Sequence, residues 1–169
     1  MKFIISQKNK GSTLVETLFY IAIFVVISAV VMNSFIVMLK AFAQTKIERN
    51  ILSGASYSLD RMSREIRWAY DIDSSSVFNS SSGYLKLNSN DDLGNPKTVE
   101  LSFSNGALLL KENGVSSGDI MGSAKLKSLI FRQILQGTSE AIKIEMEAYD
   151  PADPKAKSEF FYDTILLRE

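Results

Sequence analysis

Neither cysteine nor histidine occurs in the 169 residues. Disulfides and thiolate chemistry are therefore excluded. The commonest general base and the commonest metal ligand are missing too. Catalysis would have to run on carboxylates, Lys, Tyr or Ser alone, and no nucleophile elbow or phosphate-cradling loop accompanies them. The chain reads as non-enzymatic, without cofactor or metal. An excess of either charge is also lacking, since 19 Lys and Arg stand against 19 Asp and Glu. That balance supplies no pull toward nucleic acid and no general acidic field. Proline and glycine are both absent from residue 12 to residue 53. The length suits one domain plus an anchor rather than two full domains.

What the chain does have is an uncharged run over residues 17–39, relieved only by Thr17, Ser28, Asn33 and Ser34. As a helix it would span roughly 34 Å, enough to cross a bilayer core. Hydroxyls inside it can bond back to the preceding turn. A short basic leader with Lys2, Lys8 and Lys10 and no acid precedes it. Three readings fit this arrangement. A secretory signal would be cut after Ala41-Phe42-Ala43, although the run is longer than the usual apolar region. A plain anchor would not be cut. In the third reading the cut comes before the run, between Gly11 and Ser12. Lys40, Lys46 and Arg49 beyond the run balance the three leader lysines, so charge does not settle the orientation.

The third reading rests on Lys10-Gly11-Ser12-Thr13-Leu14-Val15-Glu16 leading directly into the apolar run. This resembles the prepilin leader of type IV pilins and type II secretion pseudopilins. The resemblance implies cleavage by a prepilin peptidase after Gly11 and N-methylation of Ser12, where serine departs from the family's usual Phe or Met. It also implies that Glu16, at the fifth mature position, pairs with the freed α-amine of a neighbouring subunit during assembly. An acid near a membrane helix is disfavoured, by up to about 3 kcal/mol at its centre. The plainer alternative is that Glu16 stays wet at the interface. The implied location is the bacterial inner (cytoplasmic) membrane, with a single pass, the C-terminal part outside, and later a pilus or pseudopilus. The implied partners are other pilin or pseudopilin subunits, the peptidase and the membrane.

Past the run, Leu52, Ala55, Leu59, Met62, Ile66 and Ala69 recur at spacings of three and four, one apolar stripe of a helix. Arg49, Asp60, Arg61, Arg64 and Arg67 occupy the opposite face. The helix is expected to continue through Gly54, as a bend or a close packing, and to end near Asp71. Trp68 and Tyr70 are expected to pack under a sheet.

After the serine-rich stretch 73–83 the period changes to two. Leu85 and Leu87, then Val99, Leu101 and Phe103, then Ile142, Ile144, Met146 and Ala148 alternate with polar residues. This is the pattern of antiparallel strands with one solvated face. Ser104-Asn105-Gly106 reads as a hairpin turn into residues 107–111. Residues 129–135 and 160–167 are further strand candidates. Leu59-Asp-Arg-Met-Ser-Arg-Glu-Ile-Arg, the segment 99–111 and the ending 161–169 loosely resemble J-type pseudopilins and W-type minor pilins. Asp91-Asp92 sits in turn composition. The acids Asp150, Asp153 and Asp163 lack EF-hand spacing and have Lys155 and Lys157 beside them, so no metal site is read there.

The expected class is α+β, a long N-terminal helix, transmembrane in its first half, packed on an antiparallel β-sheet head. The divisions are leader 1–11, transmembrane and assembly helix 12–39, soluble half of the helix 40–72 and globular head 73–169. The expected function is that of a structural minor subunit of a type IV pilus or type II secretion pseudopilus. The alternatives are a membrane-tethered extracytoplasmic binding protein and a secreted protein released after Ala43.

Overall fold

The computed structural model describes residues 13–81, 83–136, 139–153 and 157–167. The fold is α+β. One helix, α1 (Leu14–Trp68), is followed by β1 (Ala69–Ile72), β2 (Tyr84–Asn90), β3 (Pro96–Ser104), β4 (Ala107–Glu112), β5 (Val115–Asp119), β6 (Lys125–Gln136), β7 (Ser139–Tyr149) and β8 (Ser158–Leu166). The chain divides into two compact units, Met1–Ala43 and Gln44–Glu169, and α1 contributes to both.

All strand pairings are antiparallel. They form two sheets rather than the single one expected, ordered β1-β2-β3-β4-β5 and β6-β7-β8. The alternation read from the sequence holds. Leu85, Leu87, Val99, Leu101, Leu108 and Leu110 face inward from the first sheet; Leu129, Phe131, Ile142, Ile144, Met146 and Ile165 do so from the second. One core cluster joins both faces to Ile51, Ala55, Met62 and Ile66 of α1. The expected stripe is buried from Ala55 to Ala69, with Leu59 partly so; only at its start does it differ, with Ile51 inside and Leu52 half exposed. The helix also stops at Trp68 rather than near Asp71, because Ala69, Asp71 and Ile72 pair with β2.

The two sheets are stitched where backbone meets backbone. Asn79 N–H donates to Phe131 C=O at 2.9 Å, Gly83 N–H to Leu129 C=O at 2.9 Å and Leu126 N–H to Gly106 C=O at 2.8 Å. Gly106 belongs to the expected hairpin turn, with Asn105 at φ 50° and Gly106 at φ 77°, the paired left-handed geometry of a type I′ turn. Gly54 is the other close approach. A Cβ there would lie 2.5 Å from the Met121 carbonyl oxygen, nearer than such atoms approach. One turn on, the buried Ser58 hydroxyl donates to the neighbouring Ile120 carbonyl at 3.1 Å. Gly54 is therefore required for packing and does not mark a helix boundary.

Ion pairs tie the helix to the first sheet. Arg61 meets Glu65 at 2.9 Å and Glu112 of β4 at 2.6 Å, while Lys97 of β3 meets Glu65 at 3.5 Å and Glu112 at 3.3 Å. Glu65 is buried, so both bases are needed to keep its charge matched. On the outer face of the second sheet, Glu145 takes both Arg132 Nε and Arg132 Nη2 at 3.0 Å and Lys143 Nζ at 2.8 Å. The Arg132 hydrogen bond, then the Lys143 one, pulls the Glu145 carboxyl down from 4.5 to about 2.

Two outcomes are expected. Alanine at Gly54 should relieve a helix penalty of about 1 kcal/mol yet overpack against Met121, an effect of about 1–3 kcal/mol. Thermal unfolding followed by circular dichroism should show Gly54→Ala less stable and Gly54→Val less stable again. A more stable Gly54→Ala would refute the close approach. The second outcome follows from Glu145. Its folded pKa lies below the ordinary value, so its contribution to stability is complete above the ordinary carboxylate range and is lost as pH falls through about 2. A carboxyl NMR titration should place its midpoint near 2, and Arg132→Gln should move that midpoint up. A Glu145 titrating normally in the wild-type chain would contradict the triad.

Candidate functional site

The feature of α1 that demands a function is its first half. From Thr13 to Ala43 every residue is exposed within the chain. The large apolar side chains there range from Ile36 at 46% to Leu14 at 80% exposure. The segment is long and apolar enough to span a membrane. A helix suits such a segment because each backbone N–H and C=O is satisfied inside it. The hydroxyl of Ser34 follows suit and donates to the Val30 carbonyl at 2.9 Å. Phe24, Ile27, Ser28, Val31, Met32 and Phe35 line a shallow groove along this surface.

Glu16 is the one charged residue between Leu14 and Leu39. It sits in the first turn, where an acid is favoured by the positive end of the helix dipole. The turn is anchored by the Thr13 carbonyl, which accepts from Glu16 N–H at 2.9 Å and Thr17 N–H at 3.2 Å. The Glu16 carboxylate accepts from Tyr20 Oη at 3.2 Å. Tyr20 was not singled out from the sequence; its spacing of four from Glu16, one helical turn, was the available signal. Gly11 and Ser12 lie outside the described residues.

Elsewhere the structure separates residues that the sequence left together. Trp68 and Tyr70 do not pack under a sheet. They are 64% and 58% exposed, because Trp68 ends the helix on its solvent side and Tyr70 stands on edge strand β1 with its side chain outward. Asp91 closes its turn by accepting from the N–H groups of Leu93 at 2.9 Å and Asn95 at 2.8 Å and from Asn95 Nδ2 at 3.0 Å. Its carboxyl is held below the usual range, chiefly by the Asn95 side chain. Asp150 accepts from Asn50 Nδ2 at 2.9 Å and from Ala152 N–H at 2.8 Å. Asp163 instead faces the helix and accepts from Ser63 Oγ at 2.7 Å. Asp153 accepts from Lys157 N–H at 3.0 Å, so Asp150, Asp153 and Asp163 serve different contacts, and among the described residues no group of acids is arranged to hold a metal ion.

No family model, no curated protein and no solved structure matches this chain.

Proposed function

We propose that the chain is a structural subunit of a type IV pilus or type II secretion pseudopilus, a minor component held by its N-terminal helix. The observation that carries this reading is a single unbroken helix of two characters. Its first half is apolar on all sides, carries one acid in its first turn and is exposed at every described residue. Its second half buries one stripe in the β-rich head. A plain anchor needs the apolar length but has no use for an acid at that place. A subunit that leaves the bilayer to join other helices does, because an opposite charge at the end of a neighbouring chain would fix its register. Cleavage after Gly11 would create that charge at Ser12 and remove three lysines. The head would then lie outside the cytoplasmic membrane of a bacterium.

Two measurements test the reading. Intact mass of protein from native membranes should give a chain beginning at Ser12. A chain beginning at Gln44, or an uncut chain where the peptidase is active, would overturn it. Glu16→Ala and Glu16→Gln should insert and be cleaved normally, yet co-isolate with sheared filaments about tenfold less, since a charge-assisted bond is roughly twice as strong as a neutral one and 1.4 kcal/mol is a factor of ten. Glu16→Asp should recover part of the loss. Tyr20→Phe should assemble normally, because Tyr20 only supports the carboxylate. Normal incorporation of both Ala and Gln variants would leave Glu16 as an interface marker and the helix as a simple anchor.

A further inference from the structure

Strand edges attract other strands unless they are shortened, bulged, charged or covered, and among the described residues three of the four edges in this head are shortened, bulged or covered. Strand β1 has four residues and a register break between Ala69 and Asp71. Strand β5 has five, a register break in its pairing and Gly118 at φ 85°. Strand β6 is covered on its outer side by backbone contacts from Asn79, Ser81, Gly83 and Gly106. Among the described residues strand β8 is neither shortened, bulged nor covered, and its charges are the two acids Glu159 and Asp163. It runs for nine residues, pairs with β7 in unbroken register from Ser158 to Leu166, and contains no Lys, Pro or Gly.

The register shows which of its groups are free. Leu167 N–H donates to Glu140 C=O at 2.9 Å. In an antiparallel ladder hydrogen-bonded and non-hydrogen-bonded pairs alternate, so Phe161, Asp163 and Ile165 turn their backbone toward β7. Phe160, Tyr162, Thr164 and Leu166 turn theirs to the open edge. The Thr164 N–H is taken by Asp163 Oδ1 at 2.8 Å, which leaves the N–H groups of Phe160, Tyr162 and Leu166. The side chains of these same three residues are 62%, 61% and 65% exposed. Outward backbone and exposed side chain thus coincide at these positions, although the Tyr162 ring has Lys143 Nζ 5.6 Å from its centroid.

We infer that β8 is a docking edge that takes up an extended strand from another protein, with apolar side chains on the face beside Phe160, Tyr162 and Leu166 and basic ones on the face beside Glu159. The charge pattern selects this occupant. Over Ser158–Leu166 the strand carries two acids, Glu159 and Asp163, and no base. Pairing β8 with β8 of a second copy sets acids against acids in each register that aligns the open edges. Centring on Tyr162 puts Glu159 diagonal to the other Asp163; centring on Asp163 or Phe161 puts acids directly opposite, which is destabilising. A strand with Lys or Arg on that face is matched instead. The inference does not depend on the filament reading, since it concerns the head alone.

The test uses the full chain in dodecyl maltoside micelles and a nine-residue peptide alternating Lys and Val, acetylated and amidated. Controls are the same peptide N-methylated on one edge and a peptide of equal composition with Lys and Val in separate blocks. Hydrogen exchange at the amides of Phe160, Tyr162 and Leu166 should slow at least tenfold with saturating alternating peptide and with neither control. Tyr162→Pro removes an outward N–H and no ladder bond, and should weaken peptide binding at least tenfold. If that variant loses its dichroism spectrum, Tyr162→Lys, which keeps the backbone, should weaken it similarly. Unchanged exchange, equal binding of either control peptide, or concentration-dependent protection of these amides without peptide would overturn the inference. The last result would assign the edge to a second copy.

Discussion

Apolar surface that the chain cannot cover for itself sets the terms for the rest of this structure. Removing a Leu, Ile, Val or Phe side chain from water is worth about 1.5–3 kcal/mol, and the helix from Leu14 to Leu39 exposes such side chains on every face. No rearrangement of a helix can hide all of them, because only one stripe can face a given neighbour. The segment is long and apolar enough to span a membrane. On the proposed reading it would pass from lipid to other apolar helices without breaking a hydrogen bond, because its backbone is satisfied internally. Its side chains would meet similar chemistry in both. The carboxylate of Glu16 is the exception, since water, a helix N-terminus and an opposite charge can each stabilise it but hydrocarbon cannot.

The second half of the same helix meets the opposite requirement. It must hide one stripe and keep the other faces wet, and it does so by seating Ile51, Ala55, Met62 and Ile66 against two sheets at once. That seat is tight at Gly54, where the carbonyl of Met121 occupies the space of a side chain. It is charged at Glu65, where Arg61 and Lys97 arrive from the helix and from β3. Apolar contacts alone would permit the stripe to rotate or slide by a turn. The close approach at Gly54 and the matched buried acid at Glu65 each admit a single register, so they specify position where the apolar contacts supply stability.

Much of this was legible from periodicity. The apolar run, the change of period after residue 83 and the strands containing Leu85, Val99, Ile142 and Phe161 follow from spacing alone. The losses have identifiable causes. Strand β1 is four residues long and follows the helix without a turn, so the helical pattern runs on through Ala69. Strand β5, Val-Ser-Ser-Gly-Asp, has no apolar alternation; only Asn113-Gly114, with φ values of 50° and 78°, marked the hairpin before it. The stripe was misplaced at Leu52 because Ile51 and Leu52 are equally apolar, and spacing alone does not tell which of the two is buried. At the candidate site, Glu16 stood out as the one acid in the run, whereas its donor Tyr20 was one aromatic among several. That β8 lies at an edge could not be read at all, since edge status belongs to the topology and not to the strand.

Among the described residues the fold leaves two surfaces open, and they differ in what they can recognise. The helix surface is apolar and nearly featureless, and Leu, Val and Ile neighbours suit it about equally well. Packing there supplies attachment with little discrimination, apart from the single charge at Glu16. The edge of β8 is directional. Its free N–H and C=O groups alternate at fixed spacing, Phe160, Tyr162 and Leu166 lie on one side, and Glu159 lies on the other. A strand shifted by one residue there would exchange its two faces, placing bases against aromatics and apolar groups against the acid. On the proposed readings, then, the helix would determine that the subunit joins an assembly. The edge would determine which neighbour it accepts, because only there does a one-residue error carry a large penalty.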